Sequence, residues 1–255
     1  MAEIVSPFAL AAWARQFSTL LNAGVSLIRC LDVLRQVTDE SLAAVTADMA
    51  ERVLQEQTLS QAMAQHPEVL NRLSVGLCRT GEVGGVLDET FAVWADWLER
   101  DIEFRGRLDL YYLLNQVGRW PMSREEYEAR LREAMPDLDD RVREMTWCRM
   151  LGMMLGSGVP LLQSLRVATE EVYAENAEVL GAKLEATLRA GGSLADDLHE
   201  SGFSPFTVQL VAVGEECGTL DRMLDKAAHL LERSLEMRLS EALAARVAEA
   251  ASEAP

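Results

Sequence analysis

The chain has 255 residues, 49% of them apolar and 25% charged, a globular balance with length enough for one or two cores. Its net charge of −17 repels phosphate backbones and anionic lipid headgroups, which argues against nucleic-acid binding and a polybasic membrane anchor and suits a basic protein partner. Four isolated cysteines and three scattered histidines have no metal-site spacing, so reduced, partly buried thiols in a cytosolic protein are expected, with no cofactor.

The N-terminal stretch MAEIVSPFALAAW is acidic and lacks a signal-peptide pattern. No window approaches the ~20 uncharged apolar residues that span a bilayer, so no direct membrane span is expected. Abundant Ala, Leu, Glu, Arg and Met, with few β-branched residues, predict helix almost throughout.

From its start the chain reads as a duplication. WARQFSTLLNAGVSLIRCLDVL at 13–34 overlays WCRMLGMMLGSGVPLLQSLRVA at 147–168, and TLSQAM at 58–63 overlays SLADDL at 193–198. Trp13 meets Trp147, Arg15 meets Arg149, Leu21 meets Leu155, Gly24 meets Gly158 and Leu31 meets Leu165. Each copy opens with a helical hairpin in which Gly24 or Gly158 stops one helix. Ser26 or Pro160, two residues on, starts the next. Periodic segments follow at 41–55, 59–65 and 69–79, and at 174–190, 194–200 and 205–213. The last helix of each copy carries an apolar stripe, Leu87, Phe91, Trp94, Leu98 and Ile102, then Leu220, Leu224, Ala227, Leu231 and Leu235, which reads as core packing.

Each copy closes on one phrase, GEVGGVLDE at 81–89 and GEECGTLDR at 214–222. No Lys-Ser/Thr follows and no strand precedes, which argues against a phosphate cradle. Gly81 and Gly214 stand where a helix would end, while Gly85 and Gly218 permit close approach before the final helix. Leu87 and Leu220 begin its buried stripe, and Asp88 and Asp221 sit in its first turn, favourable to the helix dipole. Glu82 and Glu215 are placed to accept from amides left free at that junction. A weaker alternative gives the carboxylates of Glu82, Asp88, Glu215 and Asp221 to a divalent cation or a partner arginine.

These features resemble the type II secretion system F-domain family, the inner-membrane platform proteins of type II secretion and type IV pilus machines. The resemblance rests on the aromatic-x-Arg helix start, the LLxAGV(P/S)L turn and the GExxGxL corner. It covers both copies, about four-fifths of the chain. It implies a cytoplasmic six-helix bundle per copy and a scaffold without catalysis that contacts the assembly ATPase and platform or pilin proteins. Platforms of that family carry transmembrane helices after each copy. Here LDLYYLLNQVG is too short for one and is followed by a charged helix that begins after Pro121 and Ser123.

The expected architecture is all-α, two tandem antiparallel bundles of about six helices, at 8–105 and 142–240, with a helical linker at 106–141 and a helical or frayed tail at 241–255. The expected function is a non-catalytic adaptor, cytoplasmic or peripheral at the inner membrane through a partner, with homodimerisation as a second mode. The alternative is a cytosolic dimerising protein that reuses the fold outside secretion. No acid–base or nucleophile cluster can be assembled, and Ser157 or Cys148 beside a glycine turn is explained by hairpin geometry. Beyond the corners, the candidate contact residues are Asp96, Glu99 and Arg100 on one final helix and Glu232, Arg233 and Glu236 on the other.

Overall fold

The computed structural model describes residues 5–116, 135–173 and 176–252, together with Ser123, Glu125, Ala129, Arg132 and Glu133. The described residues form twelve helices and no strand, so the protein is all-α. They are α1 (Pro7–Asn22), α2 (Leu27–Val37), α3 (Glu40–Leu54), α4 (Leu59–Met63), α5 (Arg72–Gly84) and α6 (Leu87–Gln116), then α7 (Leu138–Gly156), α8 (Leu161–Val172), α9 (Ala177–Arg189), α10 (Leu194–Glu200), α11 (Pro205–Cys217) and α12 (Leu220–Ser252). The expected linker helix lies largely outside the described residues.

Local chemistry sets the helix starts. The Ser6 hydroxyl accepts from the Ala9 amide with Pro7 at the first helical position, and Asp39 and Asn71 accept likewise at α3 and α5. Thr58 and Gln61 satisfy each other's backbone amides in a capping box at α4. The hairpin stops are left-handed glycines as expected, with φ 76° at Gly24 and 83° at Gly158. Ser26 is the N-cap residue of α2, but its side chain makes no capping hydrogen bond.

Backbone proximity divides the chain into two compact units, Met1–Ile102 with Met153–Gly181, and Glu103–Gly152 with Ala182–Pro255. In the first unit the core is aromatic. Trp13 stacks on Phe17 at 5.1 Å, Phe17 meets Phe91 edge-on at 4.6 Å, and Trp94 closes on Phe91 at 5.6 Å. The buried Trp13 indole N–H donates to Thr46 Oγ1 at 3.0 Å, and that hydroxyl donates to the Leu42 carbonyl at 2.7 Å, so the polar edge is satisfied inside the core.

In the second unit Trp147 meets Phe203 edge-on at 5.1 Å. The helix stripe read from the sequence is buried at Leu224, Ala227, Leu231 and Leu235. α7 lies close against α12, where a Cβ on Gly152 would come within 3.0 Å of the Asp221 carbonyl oxygen. The buried Glu144 carboxylate accepts from the Ser204 amide (3.1 Å), the Ser204 hydroxyl (2.5 Å) and Arg141 Nη1 (2.6 Å). It therefore ties α7 to the first turn of α11.

Candidate functional site

The two repeated phrases fold alike. α5 and α11 do not end at Gly81 and Gly214, as the apolar runs before them suggested. Each continues to a left-handed glycine four residues later, Gly85 (φ 69°) or Gly218 (φ 65°). The amides of Val86 and Thr219 then return to the carbonyls of Gly81 and Gly214, both at 2.9 Å, which closes the helix end. The next helix starts at once, at Leu87 or Leu220.

Gly81 and Gly214 serve a different purpose from a helix stop. They sit inside the helix where the following helix turns back across it. A Cβ on Gly81 would lie 2.3 Å from Thr90 Oγ1 and 3.0 Å from Leu87 Cα, and one on Gly214 would lie 2.9 Å from Leu220 Cα. Only a residue without a side chain allows this approach.

Glu82 and Glu215 reach farther than the corner itself. Glu82 accepts from the Leu59 amide at 2.5 Å and the Ser60 hydroxyl at 2.6 Å. Glu215 accepts from the Leu194 amide at 2.6 Å, the Ala195 amide at 3.2 Å and the Ser193 hydroxyl at 2.8 Å. Each carboxylate thus occupies the first turn of the short preceding helix, α4 or α10, where free amides and the helix dipole favour negative charge. The free amides that the sequence located at the α5–α6 junction are those of the helix before it. Replacing Glu82 or Glu215 with Gln turns an amide donor toward backbone donors. Each substitution is expected to cost about 1–2 kcal/mol, read as a lowered urea midpoint with unchanged slope. An unchanged midpoint would remove the carboxylates from the fold's support.

Asp88 and Asp221 stand in the first turns of α6 and α12, half-buried. Among the described residues no three metal-ligating side chains converge at either corner or elsewhere.

The charged candidates on the final helices are largely engaged within their own units. Arg15 forms a two-pronged pair with Glu99, through Nε at 2.9 Å and Nη2 at 2.8 Å, and also binds Asp96. These partners, Glu99 first, raise the Arg15 pKa further. The duplicated pair is Arg149 with Glu232 at 2.9 Å, with only 9% and 13% of their side chains exposed. Glu236 pairs with Arg107. Arg100 and Arg233 are exposed. The repetition of Arg15 as Arg149 was visible in the sequence, and pairing each with the acid repeated on its final helix would have found both bridges.

Sequence reasoning missed three other elements: Glu144, the Trp13–Thr46 bond, and the Asp137–Arg238 bridge at 2.6 and 3.2 Å. The Arg238 guanidinium, with smaller help from Arg141, holds the Asp137 carboxyl down at about 2. Three of the four free cysteines are buried, and desolvation pushes the Cys78 and Cys148 thiols far up, so neither is a nucleophile at neutral pH.

Among the described residues no helix is long and apolar enough to cross a membrane. The family described as type II secretion system (T2SS), protein F, matches the chain twice, over residues 13–111 and 147–250. Relatives carry the same two machine names. A type IV pilus assembly protein PilC from Myxococcus xanthus is 23% identical over 299 aligned positions, covering 89% of this chain and 72% of that protein. PilC of Thermus thermophilus is 25% identical, covering 92% and 75%. A type II secretion system protein F from Xanthomonas campestris is 26% identical over 311 positions, covering 94% and 76%. With one family matched over both copies of its internal repeat, the chain belongs to the type II secretion system protein F family.

Proposed function

We propose that this chain is a non-catalytic scaffold of a type II secretion or type IV pilus-like assembly machine. Through its helical surfaces it contacts the assembly ATPase and platform or pilin components. The observation that carries this reading is the family match over both halves, joined to relatives named for secretion and pilus assembly. The structure supports a role in surfaces rather than chemistry. Glu82 and Glu215 of the repeated corners are spent on capping helices, and the arginine bridges, the exposed one at Arg15 and the buried one at Arg149, are spent within the units. What remains for a partner is an acidic exterior, which favours a basic surface opposite. The chain then works in the cytoplasm or against the inner membrane through its partner.

The test is affinity capture of the tagged chain from its native lysate, read by mass spectrometry with soluble and membrane fractions kept apart. An assembly ATPase, a pilin-like subunit or an integral-membrane component of such a machine is the expected companion. Recovery of none of these from either fraction would overturn the reading and leave a protein that kept the fold outside secretion.

A further inference from the structure

Within the first compact unit α5 and α8 border a cleft of about 560 Å³, within the size range of small-molecule sites. In a chain of net charge −17, its walls carry three arginines, Arg72 and Arg79 on α5 and Arg166 on α8. Two carboxylates share the α8 wall, and α5 engages both. Glu170 pairs with the Arg72 guanidinium, and Glu171 accepts from the Arg72 amide at 3.2 Å and from Asn71 Nδ2 at 3.4 Å. Across the cleft, the Arg79 guanidinium and the Gln163 side-chain amide have no hydrogen-bond or ion-pair partner among the described residues. Their donors are unspent.

The floor between them is Gly76, a glycine inside α5, where glycine weakens a helix. Packing does not demand it, unlike Gly81 one turn on. A Cβ there would meet one atom within 4 Å, Gln163 Nε2 at 4.0 Å. What the bare backbone keeps open is the cleft itself.

The duplication shows that the helices form without these residues. Aligned on Gly85 and Gly218, α5 corresponds to α11, and Arg72, Gly76 and Arg79 become Pro205, Gln209 and Ala212. Aligned on Gly24 and Gly158, α8 corresponds to α2, and Arg166 becomes Asp32. Only the Gln163 position changes the other way, to Arg29. The three arginines and the open floor thus belong to this cleft and not to the repeated fold.

We propose that the cleft binds a small soluble phosphate ester. Arg79 and Gln163 take the terminal phosphate, Arg72 and Arg166 flank it, and the organic body lies against Pro67 and Val75. A guanidinium fork and a neighbouring amide offer more donors than the two oxygens of a carboxylate accept, and they suit the three oxygens and double charge of a phosphate. The field of the whole chain repels anions, so the ligand is held by these short contacts and not drawn in from a distance. The site is independent of the secretion reading, since purified chain alone suffices to test it.

Isothermal titration calorimetry of the purified chain at low ionic strength, with pyrophosphate, ADP and citrate as probes, is the direct measurement. One pyrophosphate per chain is expected, with ADP tighter and citrate weaker. Arg79→Ala is expected to weaken both phosphate probes roughly tenfold or more. That side chain is exposed and unpaired, so the melting curve stays as in the parent chain. Gly76→Gln installs the duplicate's residue on the floor and should abolish ADP binding, while glutamine keeps the helix at least as stable. A parent chain that takes up neither phosphate probe at millimolar concentration would overturn the proposal, as would either variant binding like the parent. Citrate bound as tightly as pyrophosphate would overturn the phosphate assignment, and ADP no tighter than pyrophosphate would overturn the place given to the organic body. Cosedimentation with phosphatidylcholine vesicles containing phosphatidic acid separates a lipid headgroup from a soluble ester. The chain is expected to stay in the supernatant, and capture that depends on Arg79 would overturn the soluble source.

Discussion

Gly214→Val is expected to destabilise the second compact unit by about 3 kcal/mol or more, a loss typical of forcing extra atoms into a well-packed contact. The first added carbon would stand 2.9 Å from Leu220 Cα and 3.2 Å from Met223 Cβ, and a backbone atom cannot swing aside as a side-chain terminus can. Gly218→Ala four residues later is the control. Nothing lies within 4 Å of its added Cβ, so it bears only the cost of a left-handed φ, about 1 kcal/mol. Urea unfolding of both variants separates collision from backbone strain. Equal losses would mean that the close crossing of α11 and α12 is not what the first glycine protects.

Arg149→Met is expected to cost about 3–5 kcal/mol, because it leaves the Glu232 carboxylate 13% exposed and without its partner. Adding Glu232→Leu should recover most of that loss, since apolar replacement of both members of a buried pair is often neutral. The equivalent change in the first copy, Arg15→Met, should cost about 1 kcal/mol or less. There the arginine is 36% exposed and its partners 55% and 48%, so water already screens the charges. Equilibrium unfolding of the two single variants and the double variant decides it. If Arg149→Met costs no more than Arg15→Met, burial does not govern the bridge.

Much of this was legible because the chain contains its own comparison. Setting Trp13 on Trp147 and Gly24 on Gly158 located both hairpins, and the repeated GExxGxL phrase located both corners. The final-helix stripe read from spacing is the one buried at Phe91, Trp94, Leu224 and Leu231. What the pattern could not carry was direction in space. Gly81 read as a helix stop because a glycine after an apolar run has that local meaning. Its actual cause is a crossing helix whose approach no local signal records. Glu82 read as capping its own corner, whereas its acceptor capacity is used twenty-odd residues back, at Leu59 and Ser60. Glu144 escaped notice altogether, since a single acid on a charged helix gives no hint that the fold buries it.

The first compact unit is not complete when its own stretch of sequence is complete. Residues 153–181 belong to it, and they follow a long intervening segment assigned to the other unit. On a ribosome, α5 therefore emerges with its N-terminal amide at Arg72 uncovered until roughly a hundred further residues have been added, when Glu171 arrives. The half-made chain is thus a species with an open helix face, exposed for seconds at ordinary synthesis rates of about 5–20 residues per second. A face left open for that time is also open to the corresponding helix of a neighbouring nascent chain. The order of synthesis therefore bears on whether α8 closes on its own α5 or on another's.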